Sequence, residues 1–352
     1  MKILVFQIKM IGDVLASTVI CQAIKQENAK YIVHYVIDKK TFAVVDNNPF
    51  IDKIIYFDEI KYKGIKGMIA FGKELKKEKY DVVIDAYGKW QSLIPAYFSN
   101  AAMRVGTYKW YAKFFLTHTV IPETACEGTA NAFRLLLAST ALKKEIKNIY
   151  PKLYLSSKEE IQAKDMINSI RANYPNKKIV MISLLGSATN KSLPKEYMAE
   201  VLNIISYSKK VIMVFNYMPN QKEQADAIYT ASSKETQAYI VKDFYTNSLR
   251  SFICALSECD ALIGNEGGAT NMAKALNVPT FTIYAPWINR NSWNIFETTG
   301  LHEIVHLLDY KPELYNNKHP KNFKEKSLEW YKLLKPNLFK EKLNNFIYRI
   351  TN

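Results

Sequence analysis

Three stretches of the 352-residue chain bring glycine, hydroxyl-bearing and charged residues together, and each suggests a chemical task. The first is Gly12-Asp13, which separates a predicted strand at 2–8 from a predicted helix at 14–20. Glycine permits a tight turn, and a carboxylate at the mouth of a ligand cleft can take a proton from an incoming hydroxyl group. The alternative interpretation is structural: Asp13 caps the helix by accepting hydrogen bonds from its first N–H groups.

The second stretch is GSATNKSLPKEYMAEVL at 186–202, which follows a predicted strand at 178–184. The hydroxyl groups of Ser187 and Thr189 are able to hold phosphate oxygens, and Lys191 supplies positive charge. The loop lacks the GxxxxGK[ST] spacing of a P-loop. Because lysines in loops are usually solvated, the alternative is an ordinary surface loop.

The third stretch is CDALIGNEGGATNMAKALNVPTFTIYAP at 259–286, and it has the order strand, glycine-rich turn, short helix, strand. Gly267-Gly268 lets the backbone approach a ligand closely. The N–H groups of Gly268 to Asn271, at the start of the helix, predict an anion site. Glu266 would repel a phosphate, so we expect it to accept hydrogen bonds from turn amides or from a neutral hydroxyl group.

Each of these stretches follows a predicted strand, so we expect all three to lie beyond the carboxyl ends of strands in a sheet. Strand-like runs alternate with amphipathic helical segments along nearly the whole chain, which is the βαβ pattern of a parallel sheet covered on both faces. In the first half the predicted strands are 2–8, 31–37, 53–57, 81–86 and 103–106. In the second half they are 178–184, 210–215, 238–241, 261–263 and 280–284.

The two series predict an α/β protein with two doubly wound, Rossmann-like domains that face each other across a cleft. The polar phrase RANYPNKK at 171–178 is typical of a linker, so the predicted domains are 1–172 and 173–318. The remaining segment, 319–352, has aromatic and leucine residues on one helical face and lysines on the other. We expect it to pack back on the N-terminal domain, and the alternative is docking on a membrane surface.

The formal net charge of +15 favours partners with anionic surfaces, whether nucleic acid, anionic lipid or phosphorylated sugar, although lysines spread along the chain also fit a general compositional bias. The apolar runs are shorter than the roughly 20 residues of a membrane span, and polar residues interrupt the N-terminal one. We therefore expect a soluble, cytoplasmic protein. Cys21, Cys126, Cys254 and Cys259 lack the spacing of a zinc site or a disulfide framework, which predicts reduced packing residues.

Together, the motifs resemble those of glycosyltransferase family 9, the heptosyltransferases of bacterial lipopolysaccharide core synthesis. The family's opening Gly-Asp-x-Leu corresponds to GDVL at 12–15, and its middle D-x-Q-G turn followed by R-x-G corresponds to DAYG at 85–88 and RVG at 104–106. Its hydroxylated loop ending in K-x-W-P matches 187–194, and its closing signature D-T-G-x-x-H-L-A-A-A-L-G-x-P matches 266–279. The resemblance covers nearly the whole chain, in the family's order.

The resemblance implies a GT-B fold and an inverting glycosyltransferase that moves a heptose-like sugar from a nucleotide-sugar donor, ADP-heptose, to an anionic lipopolysaccharide-core or related glycolipid or glycan acceptor. The overall positive charge fits peripheral contact with the cytoplasmic face of the inner membrane. We expect neither a cofactor nor a nucleic-acid partner. Asp13 is then the general base, and Lys191 balances the charge of the leaving group. The implied donor-binding residues are Gly12, Ser187, Thr189, Gln221, Asn247, Glu266, Gly267, Gly268, Ala269, Thr270 and Asn271.

Acceptor binding is assigned to Lys89, Arg104 and Lys109, which lie near the ends of predicted first-domain strands and are able to pair with carboxylates or phosphates of an inner-core sugar. Ordinary solvated charges are the alternative. No D-x-D triplet, the usual metal-holding motif of metal-dependent glycosyltransferases, occurs in the chain. The charge of the leaving group must then be met by Lys191, Ser187 and the helix amides rather than by a metal ion.

The chain departs from the family pattern at several positions. Leu193 replaces tryptophan, Glu266 replaces aspartate, Gly267 replaces threonine and Asn271 replaces histidine, while the family's acidic ribose-binding position falls on Gln221. These changes leave open a GT-B transferase with a different nucleotide sugar, or a non-catalytic sugar-nucleotide-binding protein. A nucleic-acid-binding protein is disfavoured, because the sequence contains no recognisable groove-reading module.

Overall fold

A computed structural model describes residues 1–122, 129–293 and 300–352 of the chain. Within these residues, the N-terminal part forms a six-stranded parallel sheet in the order β3-β2-β1-β4-β5-β6. Its strands are β1 (Lys2–Phe6), β2 (Ile32–Ile37), β3 (Lys53–Tyr56), β4 (Val82–Asp85), β5 (Met103–Thr107) and β6 (His118–Val120). Residues 3–6 of the inner strand β1 are fully buried, as expected for a parallel strand covered on both faces.

Helices cover this first sheet. They are α1 (Ile11–Glu27), α2 (Gly64–Lys76), α3 (Trp90–Phe98) and α4 (Thr129–Leu142). Helix α1 packs against α4, and α2 packs against α3. Met68, Phe71 and Leu75 recur at helical spacing along α2 and are buried in the same apolar core as Leu4 and Phe6 of β1, so the apolar stripe of α2 is buried.

The chain from Leu155 onward repeats this arrangement. Within the described residues its strands form a second six-stranded parallel sheet, in the order β9-β8-β7-β10-β11-β12, which is the same relative order as in the first sheet. The strands are β7 (Lys178–Ser183), β8 (Val211–Asn216), β9 (Ile240–Val241), β10 (Ala261–Asn265), β11 (Thr280–Ile283) and β12 (His302–Val305). The helices are α5 (Ser157–Asn173), α6 (Lys195–Tyr207), α7 (Lys222–Ala231), α8 (Lys234–Gln237), α9 (Leu249–Ser257), α10 (Gly268–Ala275), α11 (Arg290–Trp293), α12 (Ser327–Tyr331) and α13 (Lys340–Thr351).

In both sheets the strand order reverses between two adjacent strands, β1 and β4 in the first and β7 and β10 in the second. Connections on the two sides of such a switch point run to opposite faces of the sheet, which opens a crevice beyond the carboxyl ends of the strands. Asp13 and Lys191 follow β1 and β7, while Asp85 ends β4 and Glu266 follows β10. The prediction of two doubly wound, Rossmann-like sheets is confirmed.

Contacts divide the chain into two compact units. Of the described residues, the first unit contains 1–122, 129–154 and 291–293, and the second contains 155–290 and 300–352. The second unit therefore begins before α5, not at residue 173 as predicted. The reason is that α5 packs on α9 and is tied to it by the ion pair between Glu159 and Arg250, 2.6 Å apart.

The C-terminal segment buries its aromatic face, as predicted, but the contacts of that face lie in the second unit rather than on the N-terminal domain. Phe339 and Phe346 pack on Phe281 of β11, with ring centroids 6.2 and 5.6 Å apart. Helix α13 also contacts α6. The segment extends the core of the second unit, because its apolar face covers apolar residues of that unit's own sheet.

Some details of the fold are not predicted by the sequence pattern. Strands β6 and β12 are short and lie at sheet edges, and β9 covers only half of the predicted strand at 238–241.

Cys21, Cys254 and Cys259 are free and buried, while Cys126 lies outside the described residues. Over the part of the chain that the structure describes, no helix is both long and apolar enough to cross a membrane.

Candidate active site

Asp13 is the third residue of α1 and does not cap it. The N-cap position belongs to Met10, which takes a left-handed φ of 66° and makes no side-chain cap, and Gly12 lies inside the first helical turn. The capping interpretation of Asp13 is therefore wrong, and Met10 makes the tight turn expected of Gly12. The carboxylate oxygen Oδ1 of Asp13 instead accepts a hydrogen bond from Nη2 of Arg134 in α4, at 2.8 Å.

Arg134 is a buried cation, with 7% of its side chain exposed, and several protein groups fix it. Its Nε donates to the hydroxyl of Ser17 at 2.7 Å, and its Nη1 donates to the carbonyl of Ala130 at 2.6 Å. The Ser17 hydroxyl in turn donates to the buried amide oxygen of Gln7 at 3.4 Å. Because its guanidinium group is planar and held by several bonds, Arg134 fixes the orientation of the Asp13 carboxylate.

The Asp13 carboxylate remains accessible. One third of its side chain is exposed (33%), and within the described residues no donor hydrogen-bonds its second oxygen, Oδ2. A carboxylate held on one oxygen and open on the other is arranged to accept a proton from a bound hydroxyl group.

The other side of the β1/β4 switch point is shaped by Asp85. This residue is fully buried, and its carboxylate accepts hydrogen bonds from the N–H groups of Tyr87 and Gly88 at 3.0 and 2.9 Å and from the Ser92 hydroxyl at 2.9 Å. Burial raises the pKa of Asp85 to about 6, against the opposing effect of these bonds. Since all of these partners belong to the turn after β4 and the start of α3, Asp85 stabilises the turn.

Two of the three predicted acceptor-binding residues lie at this same turn. Lys89 is exposed at the N-cap of α3, and the ammonium group of Lys109 donates to the carbonyl of Gly88. Arg104 differs, because its Nε donates to the carbonyl of Phe115 at 2.8 Å and the guanidinium group is thereby bound to the chain after β5. Lys89 and Lys109 are thus grouped, whereas Arg104 has a structural contact that its sequence position does not predict.

In the second unit, the loop after β7 is folded tightly back on itself. A Cβ atom at Gly186 would lie 2.3 Å from the carbonyl oxygen of Lys191, so only glycine fits there without a backbone shift. The amide Nε2 of Gln221 donates to the carbonyl of Gly186 at 3.0 Å. The N–H of Gly186 donates to the hydroxyl of Ser192 at 2.9 Å. Gln221, predicted to bind the donor, therefore joins the loops after β7 and β8.

The same loop is fixed from three further elements. The carbonyl of Asn190 accepts hydrogen bonds from Nε1 of Trp287 at 2.9 Å and from the hydroxyl of Ser327 at 2.7 Å. The N–H of Leu193 donates to the buried side-chain oxygen of Asn265, at the end of β10, at 2.8 Å. Lys191 thus projects from a short, rigid turn rather than from a solvated loop.

Lys191 is paired with Glu266 across the β7/β10 switch point. Its Nζ lies 3.3 Å from Oε1 of Glu266 and 5.5 Å from the centroid of the Trp287 ring. Only 11% of the Glu266 side chain is exposed. Burial raises the pKa of Glu266, and Lys191 opposes this rise. We expected Glu266 to accept hydrogen bonds from turn amides or from a neutral hydroxyl group, but its Oε1 is paired with the charge of Lys191 instead. Among the described residues, no donor makes a hydrogen bond of good geometry to this oxygen.

The start of α10 lies beside this pair, since Glu266 directly precedes its N-cap, Gly267. The N–H of Asn271 donates to the carbonyl of Gly267 at 3.2 Å. The N–H groups of 268–270 are therefore those that a helix leaves without an internal partner. Such amides favour an anion, and the ammonium group of Lys191 adds charge to the same crevice.

The predicted donor-binding side chains differ in accessibility. Ala269 and Thr270 are buried, and the Thr270 hydroxyl donates to the carbonyl of Asn265 at 3.4 Å, so these two residues offer backbone groups only. Asn247 lies in the loop before α9, where its side-chain oxygen accepts from the hydroxyl of Ser251 at 3.4 Å. The exposed members are Ser187, Thr189, Asn247 and Gly268, and the partly exposed ones are Gly12, Gln221, Glu266, Gly267 and Asn271.

Sequence reasoning missed Arg134 and Trp287. Arg134 is the one charged residue of α4, and a single arginine within an otherwise neutral helix is a signal that a buried anion lies nearby. Trp287 follows the third motif almost directly, and its indole N–H needs a partner when it is buried. Neither signal identifies the partner.

Two Rossmann-like units, each with polar residues at the switch point of its parallel sheet, are the architecture of the GT-B fold. The solved structures with this fold include the glycosyl transferase family 9 protein from Veillonella parvula, with a TM-score of 0.77, 17% identity, and coverage of 99% of this chain and 97% of that chain. The Escherichia coli ADP-heptose lps heptosyltransferase II has a TM-score of 0.71 and 16% identity, with 99% of each chain covered. The predicted GT-B fold class is confirmed.

The family follows from the sequence comparison. Residues 68–291 match the profile of glycosyltransferase family 9 (heptosyltransferase). Lipopolysaccharide heptosyltransferase 1 of Campylobacter coli is 26% identical over 328 residues, which cover 91% of this chain and 92% of that protein. The chain belongs to glycosyltransferase family 9 and is a glycosyltransferase, as its motifs predict.

Removing the ammonium group of Lys191 should leave the buried Glu266 carboxylate without its counter-charge. We expect Lys191→Met to lower the free energy of unfolding by about 1–3 kcal/mol at about pH 8. The loss should shrink towards about pH 5, because the raised pKa of Glu266 lets its carboxyl group take up a proton in the folded state before it does so in the unfolded chain. Urea denaturation at the two pH values measures both effects.

The matched control is Lys195→Met, which removes one partner of an exposed ion pair with Glu196 and should cost less than about 1 kcal/mol at either pH. A loss from Lys191→Met that is the same at both pH values, or no larger than that of the control, would contradict the pairing.

Proposed function

We propose that this glycosyltransferase moves a heptose-like sugar from ADP-heptose to an anionic glycolipid acceptor of the lipopolysaccharide core, with inversion at the anomeric carbon. The observation that carries the proposal is the Asp13 carboxylate, held by Arg134 beside the carboxyl end of β1 and open on one oxygen. The identity of the sugar is supported by the relatives, of which one is a lipopolysaccharide heptosyltransferase and another an ADP-heptose lps heptosyltransferase.

The second unit supplies groups for the donor's diphosphate. Lys191 offers an ammonium group, the start of α10 offers unpaired amides, and the exposed Ser187 and Thr189 offer hydroxyl groups. Before the donor binds, Glu266 holds Lys191 at 3.3 Å. A diphosphate bound in this crevice competes with the Glu266 carboxylate for the same ammonium group, so Lys191 is already positioned when the donor arrives.

The chemistry then takes one displacement step. The acceptor hydroxyl oxygen attacks the anomeric carbon from the face opposite the diphosphate, and its proton passes to Oδ2 of Asp13. The bond between the anomeric carbon and the diphosphate oxygen breaks, and its electron pair stays on that oxygen. Lys191 and the helix amides stabilise the negative charge that develops there, and they do so without reorganising during the reaction.

The acceptor side is proposed for the first unit. Lys89 ends the turn after β4, and Lys109, which follows β5, donates to the carbonyl of Gly88 in that turn. Ammonium groups there suit the phosphates or carboxylates of an inner-core sugar. Because this acceptor is lipid-anchored, the proposal locates the enzyme in the cytoplasm, at the face of the inner membrane.

Particular residues favour an alternative donor in place of ADP-heptose. Gln221 stands where the family has an acidic ribose-binding residue, and its amide is already bound to the carbonyl of Gly186. Asn271 and Glu266 also differ from the family pattern at the start of α10. These differences fit a GT-B transferase of a different nucleotide sugar, which keeps Asp13 and Lys191 in the same roles.

Asp13→Asn tests the base. The amide keeps the shape of the carboxylate but accepts no proton, so turnover should fall by about 10²–10⁴-fold while binding of ADP is unchanged. Transfer to acceptor and thermal stabilisation by ADP are measured on the same preparation. Glu27→Gln, in the last turn of α1, removes an exposed ion pair with Lys144 and serves as the control, with turnover as in the parent protein. Near-normal turnover of Asp13→Asn would show that another group takes the proton.

A thermal-shift series with ADP-, UDP-, GDP- and CMP-sugars tests the donor. A ligand at about 100 times its dissociation constant stabilises the folded protein by about 2.7 kcal/mol, so the series separates a bound donor from the others. We expect ADP-heptose to give the largest shift, and Lys191→Met to reduce it. A larger shift with another nucleotide sugar would replace the proposed donor and leave the proposed base intact.

A further inference from the structure

The first unit carries a cluster of aromatic side chains on α3 and in the segment that follows β5. We call it the aromatic face, and its members are Trp90, Tyr97, Tyr108, Trp110, Tyr111, Phe114 and Phe115. Trp90 stacks on Tyr111 with ring centroids 4.8 Å apart, and Tyr111 meets Trp110 edge to face at 5.5 Å. Phe115 joins Trp90 and Tyr97 at 5.7 and 6.0 Å, so these five rings form one continuous group.

Much of the aromatic face is exposed. Trp110 is 73% exposed, Phe114 66% and Tyr108 50%, while Trp90 and Tyr97 are each 47% exposed. Large apolar rings that touch one another and remain accessible form a patch rather than the scattered single residues of an ordinary surface.

The charged residues of the segment that carries the aromatic face have one sign. From Ala86 to Pro122 the chain contains no Asp or Glu, and it contains Lys89, Arg104, Lys109 and Lys113. Lys113 is exposed, and its ammonium group lies 5.4 Å from the centroid of Phe114. The apolar rings are therefore accompanied by cations that are not neutralised by acidic residues of the same segment.

We propose that the aromatic face docks on an anionic phospholipid bilayer. Tryptophan and tyrosine favour the interface between headgroups and acyl chains, because one part of each ring system is apolar and the other forms hydrogen bonds. Lysine side chains lay their apolar stems along the same surface and direct their charge to lipid phosphates. A cationic aromatic patch is complementary to an anionic membrane in both respects, whereas a second copy of this chain would bring an equally cationic patch against it.

This inference extends the proposed function, since a membrane-borne acceptor must be reached at the bilayer surface, and it rests on that function only for its consequence in catalysis. Vesicle binding is measured without donor or acceptor. Failure of the proposed reaction would therefore leave the docking measurement interpretable.

The test is co-sedimentation with vesicles of phosphatidylcholine alone or mixed with equal parts of phosphatidylglycerol. The double variant Trp110→Ser/Phe114→Ser removes the two most exposed rings, and we expect its partition onto the mixed vesicles to fall by about tenfold or more. The partition of Lys113→Ala onto the mixed vesicles should be about fivefold lower than that of the parent protein, and it should depend less on the salt concentration. The parent protein should bind the mixed vesicles well and the uncharged ones weakly.

Matched controls are Tyr207→Ser, at a residue of the second unit that is 88% exposed, and Lys40→Ala, at an exposed lysine of the first unit. Both should bind vesicles as the parent does, and the double variant should transfer sugar to a water-soluble acceptor without a lipid tail at the parent rate. Vesicle binding of the double variant at the parent level would overturn the proposal. Loss of transfer to the soluble acceptor with vesicle binding retained would also overturn it and make the face a sugar site. An oligomer smaller than that of the parent, with vesicle binding retained, would likewise overturn it and make the face a protein interface.

Discussion

The placement of Asp13, Lys191 and Glu266 depends on the reversal of strand order at the centre of each parallel sheet. Strands that run side by side in the same direction are joined by crossovers, and crossovers that begin on either side of a switch point leave by opposite faces. A crevice therefore opens beyond the carboxyl ends of β1 and β4, and of β7 and β10, while the last residues of these strands are buried. Asp13 in the first unit and Lys191 in the second follow the corresponding strands, β1 and β7, and both side chains are partly exposed.

In each unit an ion pair lies near the switch point of the sheet, and the sign of the buried partner is opposite in the two pairs. In the first, a buried cation, Arg134, fixes an accessible anion, Asp13; in the second, a buried anion, Glu266, fixes a less buried cation, Lys191. The charge that is open to a ligand is negative in one unit and positive in the other. Transfer of a sugar from a diphosphate to a hydroxyl group requires this division, because the hydroxyl must lose a proton and the diphosphate must gain stabilisation.

The two pairs also differ in how firmly they are bound. Arg134 donates to Ser17 and Ala130 as well as to Asp13, so two of its hydrogen bonds do not involve the Asp13 carboxylate. Lys191 makes a looser contact of 3.3 Å with Glu266 and lies over the Trp287 ring, and the turn that carries it is fixed through the backbone of Asn190. A rigid turn with a loosely paired ammonium group combines a defined position with the freedom to accept a phosphate.

The sequence predicted the two sheets, the glycine-containing turns after β7 and β10, and the family, because these features depend on local patterns of apolar spacing and turn residues. It did not predict the partners of the charged residues. Arg134 lies 121 positions from Asp13 and Glu266 lies far from Lys191 in the chain, so only packing brings them together. The C-terminal segment shows the same limit: its apolar face was evident from its spacing, while the sheet that it covers was not. The cap assigned to Asp13 was wrong for a local reason, since α1 begins at Ile11 after a left-handed Met10, which apolar periodicity does not reveal.

The central claim is that a single displacement, with Asp13 as the base, transfers the sugar. The anomeric configuration of the newly formed glycoside, read by proton NMR before any equilibration, tests this most directly. A product whose configuration is opposite to that of the donor is the result expected when the hydroxyl attacks from the face away from the diphosphate. Retention of the donor's configuration would contradict it, because the hydroxyl would then have attacked from the diphosphate side or after a covalent intermediate, and Asp13 would lose the role that the structure suggests for it.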